Sequence, residues 1–131
     1  MEDRQLSPHF HIDEFSCKCG QCEFRNGVIK PYHIDPHLIE VLEYVRKAFN
    51  SPVSITSGRR CVDHNKAVGG VSKSQHLNGR AADIVVTNRD TRHVFELLLN
   101  HPNAEQMGLG IYNQFVHVDT RGYKVRWGKD K

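Results

Sequence analysis

The sequence predicts an α+β domain built on a small, mostly antiparallel sheet with flanking helices. Two segments carry apolar residues at helical spacing, one from Leu38 to Phe49 and one from Val94 to Leu98. Short β-branched runs are interleaved with them, and the chain's last apolar segments are two strands joined by a tight turn. Length bounds the rest: 131 residues suffice for one core and are too few for two ordinary domains, so 1–131 reads as one unit.

Residues 1–34 hold few periodic apolar positions. With Gly20, Gly27, Pro31 and a cysteine cluster they read as an irregular, turn-rich lead-in, regular structure starting only after it. Asp35-Pro36 then starts a helix, because Asp accepts from the first free amides and the φ of proline is already helical. Leu38, Leu42, Val45 and Phe49 follow at helical spacing, and the helix ends near Asn50, ahead of Pro52. Val53 and Ile55 alternate with Ser54 and Thr56 in a short strand that runs into a Ser57-Gly58 turn. From Cys61 to Ser74 the expectation is loop, with one helical turn at 63–68 closed by Gly69-Gly70. Residues 80–87, RAADIVVT, read as a strand with Ala82, Ile84 and Val86 on one face and Ala81, Asp83 and Val85 on the other. Asp90 caps a helix carrying Val94, Leu97 and Leu98 that stops around Asn100 and Pro102. GLGIY and FVHVD are strands joined at Asn113-Gln114, with Val116 and Val118 on one face and Phe115, His117 and Asp119 on the other.

Hydrophobic residues make up 38% and charged residues 25%, without repeats or low-complexity runs, which excludes disordered and fibrous classes. The net charge of +3 is mild and its Lys and Arg are scattered, so no nucleic-acid partner is expected, while weak attraction to an anionic polymer is. The stretch MEDRQLSPHFHIDEF lacks the apolar run of a signal peptide or membrane span, and the expectation is synthesis in the cytoplasm with no membrane partner.

His76 and Asp83 lie seven residues apart, with Gly79 allowing a sharp turn and Ala81 leaving room beside the carboxylate. His76 can therefore reach back over the strand that holds Asp83. A third ligand from the strand at 115–119 gives two imidazoles and one carboxylate, a donor set that suits catalytic zinc with its fourth position open to water. Such a centre stays net positive, lowers the pKa of bound water toward ~7 and polarises a carbonyl, the chemistry of metal-assisted peptide hydrolysis. Spacing alone is weak support in a chain with nine histidines. The pairs His9/His11 and His33/His37 also have usable spacings, but they lack a partner motif and read as surface histidines.

Longer strings carry more weight. Ser74-x-His76-x-x-Gly79-x-Ala81-x-Asp83 resembles the central motif of the zinc D-alanyl-D-alanine carboxypeptidase family, which shares its fold with the signalling domain of hedgehog proteins. ITSGRRC is similar to that family's Ser-Gly-aromatic-Arg segment, HNKAVGG to the stretch before its ligand loop, and Phe15-Ser16-Cys17-Lys18-Cys19-Gly20 to small phage and prophage members. The resemblance spans roughly residues 10–128. It implies a hedgehog/DD-peptidase-like fold, Zn²⁺ as cofactor, and His76, Asp83 and His117 as its ligands. It implies a substrate in the stem peptide or cross-link of bacterial peptidoglycan, cleaved as a carboxypeptidase or an endopeptidase. A monomeric phage or prophage wall hydrolase, an endolysin acting after release or on a virion, fits this picture.

By the same resemblance Arg60 is the arginine whose guanidinium forks onto a substrate carboxylate or carbonyl. Ser74 is a candidate for steadying the substrate or the ligand loop, or for bonding its own backbone. The chain departs from the family pattern twice. Arg59 replaces the usual aromatic, and Gln114 stands three positions before the last ligand, where many relatives carry an acid. An amide takes no proton from water at neutral pH, which leaves Asp119, on the same strand face as His117, as candidate catalytic base. The competing role for Asp119 is an acceptor that orients His117. A non-catalytic zinc-containing binding module on the same fold is the alternative reading. Cys17, Cys19, Cys22 and Cys61 suit a tetrahedral structural zinc site, disulfides or free thiols, and a link of either kind would staple the lead-in to the loop beside Arg60.

Overall fold

The computed structural model describes residues 4–128, so 1–3 and 129–131 of the expected domain, including the start of the N-terminal stretch read above, lie outside the described residues. Regular structure begins earlier than periodicity predicts. β1 (Gln5–Ser7) and β2 (Phe10–His11) pair antiparallel, and a 3-10 turn, Ile12–Phe15, follows directly. This corrects the expectation that regular structure starts only after residue 34, although the segment is otherwise turn-rich as expected. Phe10, Ile12, Phe15, Phe24 and Ile29 are all buried in the same apolar cluster as the helices and the main sheet. They reach it from a two-residue strand and from turns, so neither a period of two nor one of 3.6 accumulates along the chain.

α1 (Pro36–Phe49) starts where Asp35 accepts from the His37 amide and ends at Asn50, whose φ of 50° is left-handed. It buries Leu38, Ile39, Val41, Leu42 and Val45, each full burial of such a side chain being worth roughly 1.5–3 kcal/mol. β3 (Val53–Ser57) follows, then the short α2 (Val62–Ala67) in the segment expected to be mostly loop. β4 (Ala81–Val86), α3 (Thr91–Leu99) with its Asp90 cap, β5 (Gly108–Ile111) and β6 (Val116–Asp119) lie within a residue or two of their predicted positions. β7 (Val125–Gly128) was not predicted, since VRWG is short and interrupted by a charge.

The main sheet runs β3-β4-β6-β5-β7, antiparallel throughout except for the parallel β5/β7 pair, as the α+β expectation of a mostly antiparallel sheet requires. One face carries Ala82, Ile84, Val86, Val116 and Val118 into the core under α1 and α3. The opposite face is where the polar residues of β4 and β6 emerge. No helix among the described residues is long and apolar enough to cross a membrane.

Candidate metal centre

Strand register assembles the site. Asp83 pairs with Ser57 on one side and His117 on the other, His117 pairs with Gly110, and Gly110 with Trp127. One row across five strands therefore reads Ser57, Asp83, His117, Gly110, Trp127. The neighbouring row on the same face holds Ala81, Asp119, Gly108 and Val125. Glycine at both β5 positions has a steric reason. A Cβ on Gly110 would sit 2.5 Å from the Trp127 indole, and one on Gly108 would sit 2.6 Å from the Asp119 carboxylate and the Arg121 guanidinium.

His76 arrives from outside the sheet, on a 3-10 turn spanning Gln75–Asn78. The Ser74 hydroxyl accepts from the His76 amide at 3.2 Å and so caps that turn, a bond to its own local backbone. Gly79 ends the turn at φ 71°, where a Cβ would lie 2.0 Å from the His33 carbonyl oxygen.

The side chains of His76, Asp83 and His117 are buried, and one ligand atom from each lies within 4.8 Å of the others. His76 Nδ1 is 2.8 Å from the Gly58 carbonyl oxygen, an atom that only accepts, so Nδ1 carries the proton and the Nε2 lone pair faces Asp83 Oδ1 at 3.2 Å. His117 Nε2 donates to Asp119 Oδ2 at 2.7 Å, which turns its Nδ1 toward the same Asp83 oxygen at 3.0 Å. Two imidazole lone pairs thus converge on one carboxylate oxygen. Acceptors facing acceptors need a cation or protons between them, and two nitrogens with a carboxylate are a donor set suited to Zn²⁺. Both imidazoles also have the second nitrogen held by an acceptor, the outer arrangement that metal-bound histidines show.

The charges at the site respond accordingly. Where protons rather than a cation stand between the rings and Asp83, burial pushes its carboxyl up, but the hydrogen bonds those protons make from His117 and His76 outweigh it and hold it at about 2. Burial pushes His117 down, and the bonds to Asp119 and Asp83 overcome this to leave it raised. Arg60 belongs to the same cluster. Its Nη2 is 3.6 Å from Asp83 Oδ2, while Nε donates to Ser57 Oγ at 3.2 Å and Nη1 to Asn65 Oδ1 at 3.0 Å.

Asp119 has a different place from the one expected of a base. It is wholly buried, and its oxygens accept from the amides of Gly108 and Arg121, from Nε and Nη2 of Arg121, and from His117. Burial raises its pKa, but the bonds from Arg121 and His117 prevail and hold it at about 2. A carboxylate with both oxygens occupied and so low a pKa is a poor proton acceptor near neutrality, whereas it is well suited to fixing the His117 ring.

Arg59, at the position of the family's aromatic, leaves the site. It donates to the His33 carbonyl at 2.7 Å and lies 4.1 Å over the Phe24 ring. Gln114 is exposed in the β5–β6 turn. The other histidine pairs stay apart from the ligands: His9 bonds Glu43, His37 bonds Asp35, and His11 and His33 accept from nearby amides. Cys17, Cys19, Cys22 and Cys61 gather in a separate cluster. Residue reasoning missed Trp127, whose ring centroid is 5.0 Å from that of His117 and whose indole nitrogen donates to the Tyr112 hydroxyl at 2.7 Å. It also missed Arg121. The alternating glycines of β5 were the available signal, because a strand that gives up side chains on one face makes room for something crossing it.

A family model described as Peptidase M15 matches residues 8–119, which include the three candidate ligands, Arg60 and the cysteine cluster. The chain belongs to the peptidase M15 family. Among curated proteins it is similar to the zinc D-Ala-D-Ala carboxypeptidase of Streptomyces albus G, at 32% identity over 80 residues, or 59% of this chain. That alignment covers 31% of the relative, so the chain spans about a third of its length. The M15 match ends at Asp119, and Arg121 and Trp127 therefore lie beyond the part that the family model describes.

Proposed function

We propose that this M15 chain is a Zn²⁺-dependent peptidase that hydrolyses peptide bonds of bacterial peptidoglycan, at D-Ala-D-Ala termini or within stem peptides and cross-links. The observation that carries the proposal is the convergence of two imidazole lone pairs on Asp83, each ring locked from behind by Gly58 or Asp119. His76 Nε2, Asp83 and His117 Nδ1 are the atoms that would hold the metal. When bound, zinc supplies a water that ionises near neutrality and polarises the scissile carbonyl.

The remaining work falls to the chain's own side chains. Arg60 is anchored by Ser57 and Asn65 with its second terminal nitrogen toward Asp83, poised to pair with a substrate carboxylate or carbonyl beside the ligands. Trp127 packs beside His117 at the other end of the row. The substrate class is supported by the name of the Streptomyces relative and by a guanidinium suited to a free carboxyl terminus. The place of action we propose is the cell wall, reached after release from a cell or on a virion, in keeping with the phage-like Phe15–Gly20 segment.

A second reading has one observation in its favour. Gln114 replaces the acid many relatives carry, and Asp119 is fully hydrogen-bonded, as a zinc-containing module that binds without cleaving would tolerate. Digestion of purified peptidoglycan by wild type and His117→Ala, with mass spectrometry of fragments and metal analysis of both proteins, separates the two. New amino or carboxyl ends made only by zinc-loaded wild type establish the peptidase and identify its bond. A folded, zinc-replete wild type that releases nothing while still sedimenting with peptidoglycan establishes the binding module.

A further inference from the structure

The four cysteines form a second cluster at the far side of the loop that carries Arg60. Cys17, Cys19 and Cys22 lie in one loop after the 3-10 turn of the N-terminal arm, and Cys61 caps α2. All four are thiols, and their sulfurs lie within 4.8 Å of one another. Cys17 and Cys61 are 3.8 Å apart and Cys61 and Cys19 3.9 Å apart. Zinc–thiolate bonds of ~2.3 Å in a tetrahedron place the sulfurs ~3.8 Å from each other, whereas a disulfide requires ~2.05 Å within separate pairs. Two disulfides would also have no need to bring both pairs together.

A second, independent feature concerns the backbone. Each sulfur accepts one main-chain amide: Cys19 from Gln21 and Cys22 from Phe24, both at 3.3 Å, Cys61 from His64 at 3.4 Å, and Cys17 from Cys61 at 3.5 Å. Amides aimed at sulfur stabilise thiolates and orient them, as the outer hydrogen bonds of a metal site do. The loop is shaped for this by Gly20 at φ 73° and by its closing bond from the Cys17 amide to the Phe24 carbonyl at 2.8 Å.

We propose that Cys17, Cys19, Cys22 and Cys61 bind a second zinc ion, a closed tetrathiolate site with a structural role, which forms as the thiol protons are released to solvent. The consequence reaches the peptidase site through short steps. Cys61 is bonded directly to Arg60. One residue further back, the Arg59 amide donates to the Phe15 carbonyl at 2.8 Å, and a Cβ on Gly58 would lie 2.6 Å from the Phe15 backbone. The Gly58 carbonyl is the acceptor that sets His76. The ion would therefore fix both ends of the 57–61 loop, with Arg60 and the His76 acceptor between the N-terminal arm and α2.

The test uses the full chain purified in reductant and loaded with Zn²⁺ or with Co²⁺ as a spectroscopic probe. Wild type is expected to hold two ions per chain, and the cobalt form to show an intense near-ultraviolet sulfur-to-metal band, which nitrogen and oxygen ligands do not produce. Cys19→Ser/Cys22→Ser should lose one ion and the band, and His117→Ala should lose one ion and keep the band. The last comparison separates failure here from failure of the peptidase reading. A wild-type mass lighter by two hydrogens per disulfide, or four thiols alkylated freely in the zinc-loaded folded protein, overturns the proposal even if the double variant does not fold.

Discussion

The carboxylate of Asp119 shows how much a single position depends on its surroundings. From the alternation of FVHVD it shares a face with His117, which makes it an orienting acceptor or a base with equal ease. The structure adds Arg121 and the Gly108 amide, and these occupy the oxygens that a base would need free. Asp119→Asn is expected to weaken zinc binding about 10–100-fold, since the amide holds the His117 ring less firmly. It should also cost ~2–3 kcal/mol of stability by stranding Arg121, less than the full cost of a broken buried pair because Arg121 keeps some solvent contact. Isothermal zinc titration and chemical denaturation measure the two effects separately; unchanged zinc affinity with lost turnover would return Asp119 to the role of base. The sign of the pH dependence follows from its depressed pKa. The stabilisation is fully present above the ordinary value of 3.8 and is lost as pH falls toward about 2. Acid unfolding of the metal-free wild type should steepen in that window, and the Asn variant should lack that contribution.

At the scale of elements, β5 is the strand whose sequence matters most by what it omits. Gly108 and Gly110 leave the site face bare, and the ion pair of Asp119 with Arg121 and the indole of Trp127 fill the space. Gly110→Ala should push Trp127 away from His117 and reduce kcat/KM several-fold while the zinc content stays near that of wild type. Gly108→Ala should instead disturb the support of His117 and lower zinc content. Equal effects of the two variants would contradict the separation into two rows. This is also where the sequence was hardest to read. α1, α3 and the strands bearing Asp83 and His117 were legible because caps, helical spacing and strict alternation all agreed on them. β7 was not, having only four residues with Arg126 among them, and it brings Trp127 to the site through a parallel pairing that no local pattern announces.

At the scale of the molecule, the gathering of the three candidate ligands with Arg60 was legible because motif spacing, strand faces and family resemblance pointed to the same residues. The structural share of residues 4–34 was not. Ile12, Phe15 and Ile29 enter the core from turns and Phe10 from a two-residue strand, where burial leaves no period to find. Each is almost fully enclosed, so truncating Phe15→Ala should cost ~3–5 kcal/mol, measurable by thermal or denaturant unfolding. A cost below ~1 kcal/mol would show that the arm is packed loosely.

The contact of Phe15 with Gly58 bears on how small this protein can be made. His76, Asp83, His117 and Arg60 all lie after position 57, so a fragment beginning at Asp35 keeps every residue of that candidate centre. It would nonetheless lack the carbonyl that receives the Arg59 amide and the surface that Gly58 rests on. Such a shortened chain would have its tools and no bench to hold them, and evolutionary or laboratory trimming from the amino end should meet a limit near the arm rather than near the first candidate ligand.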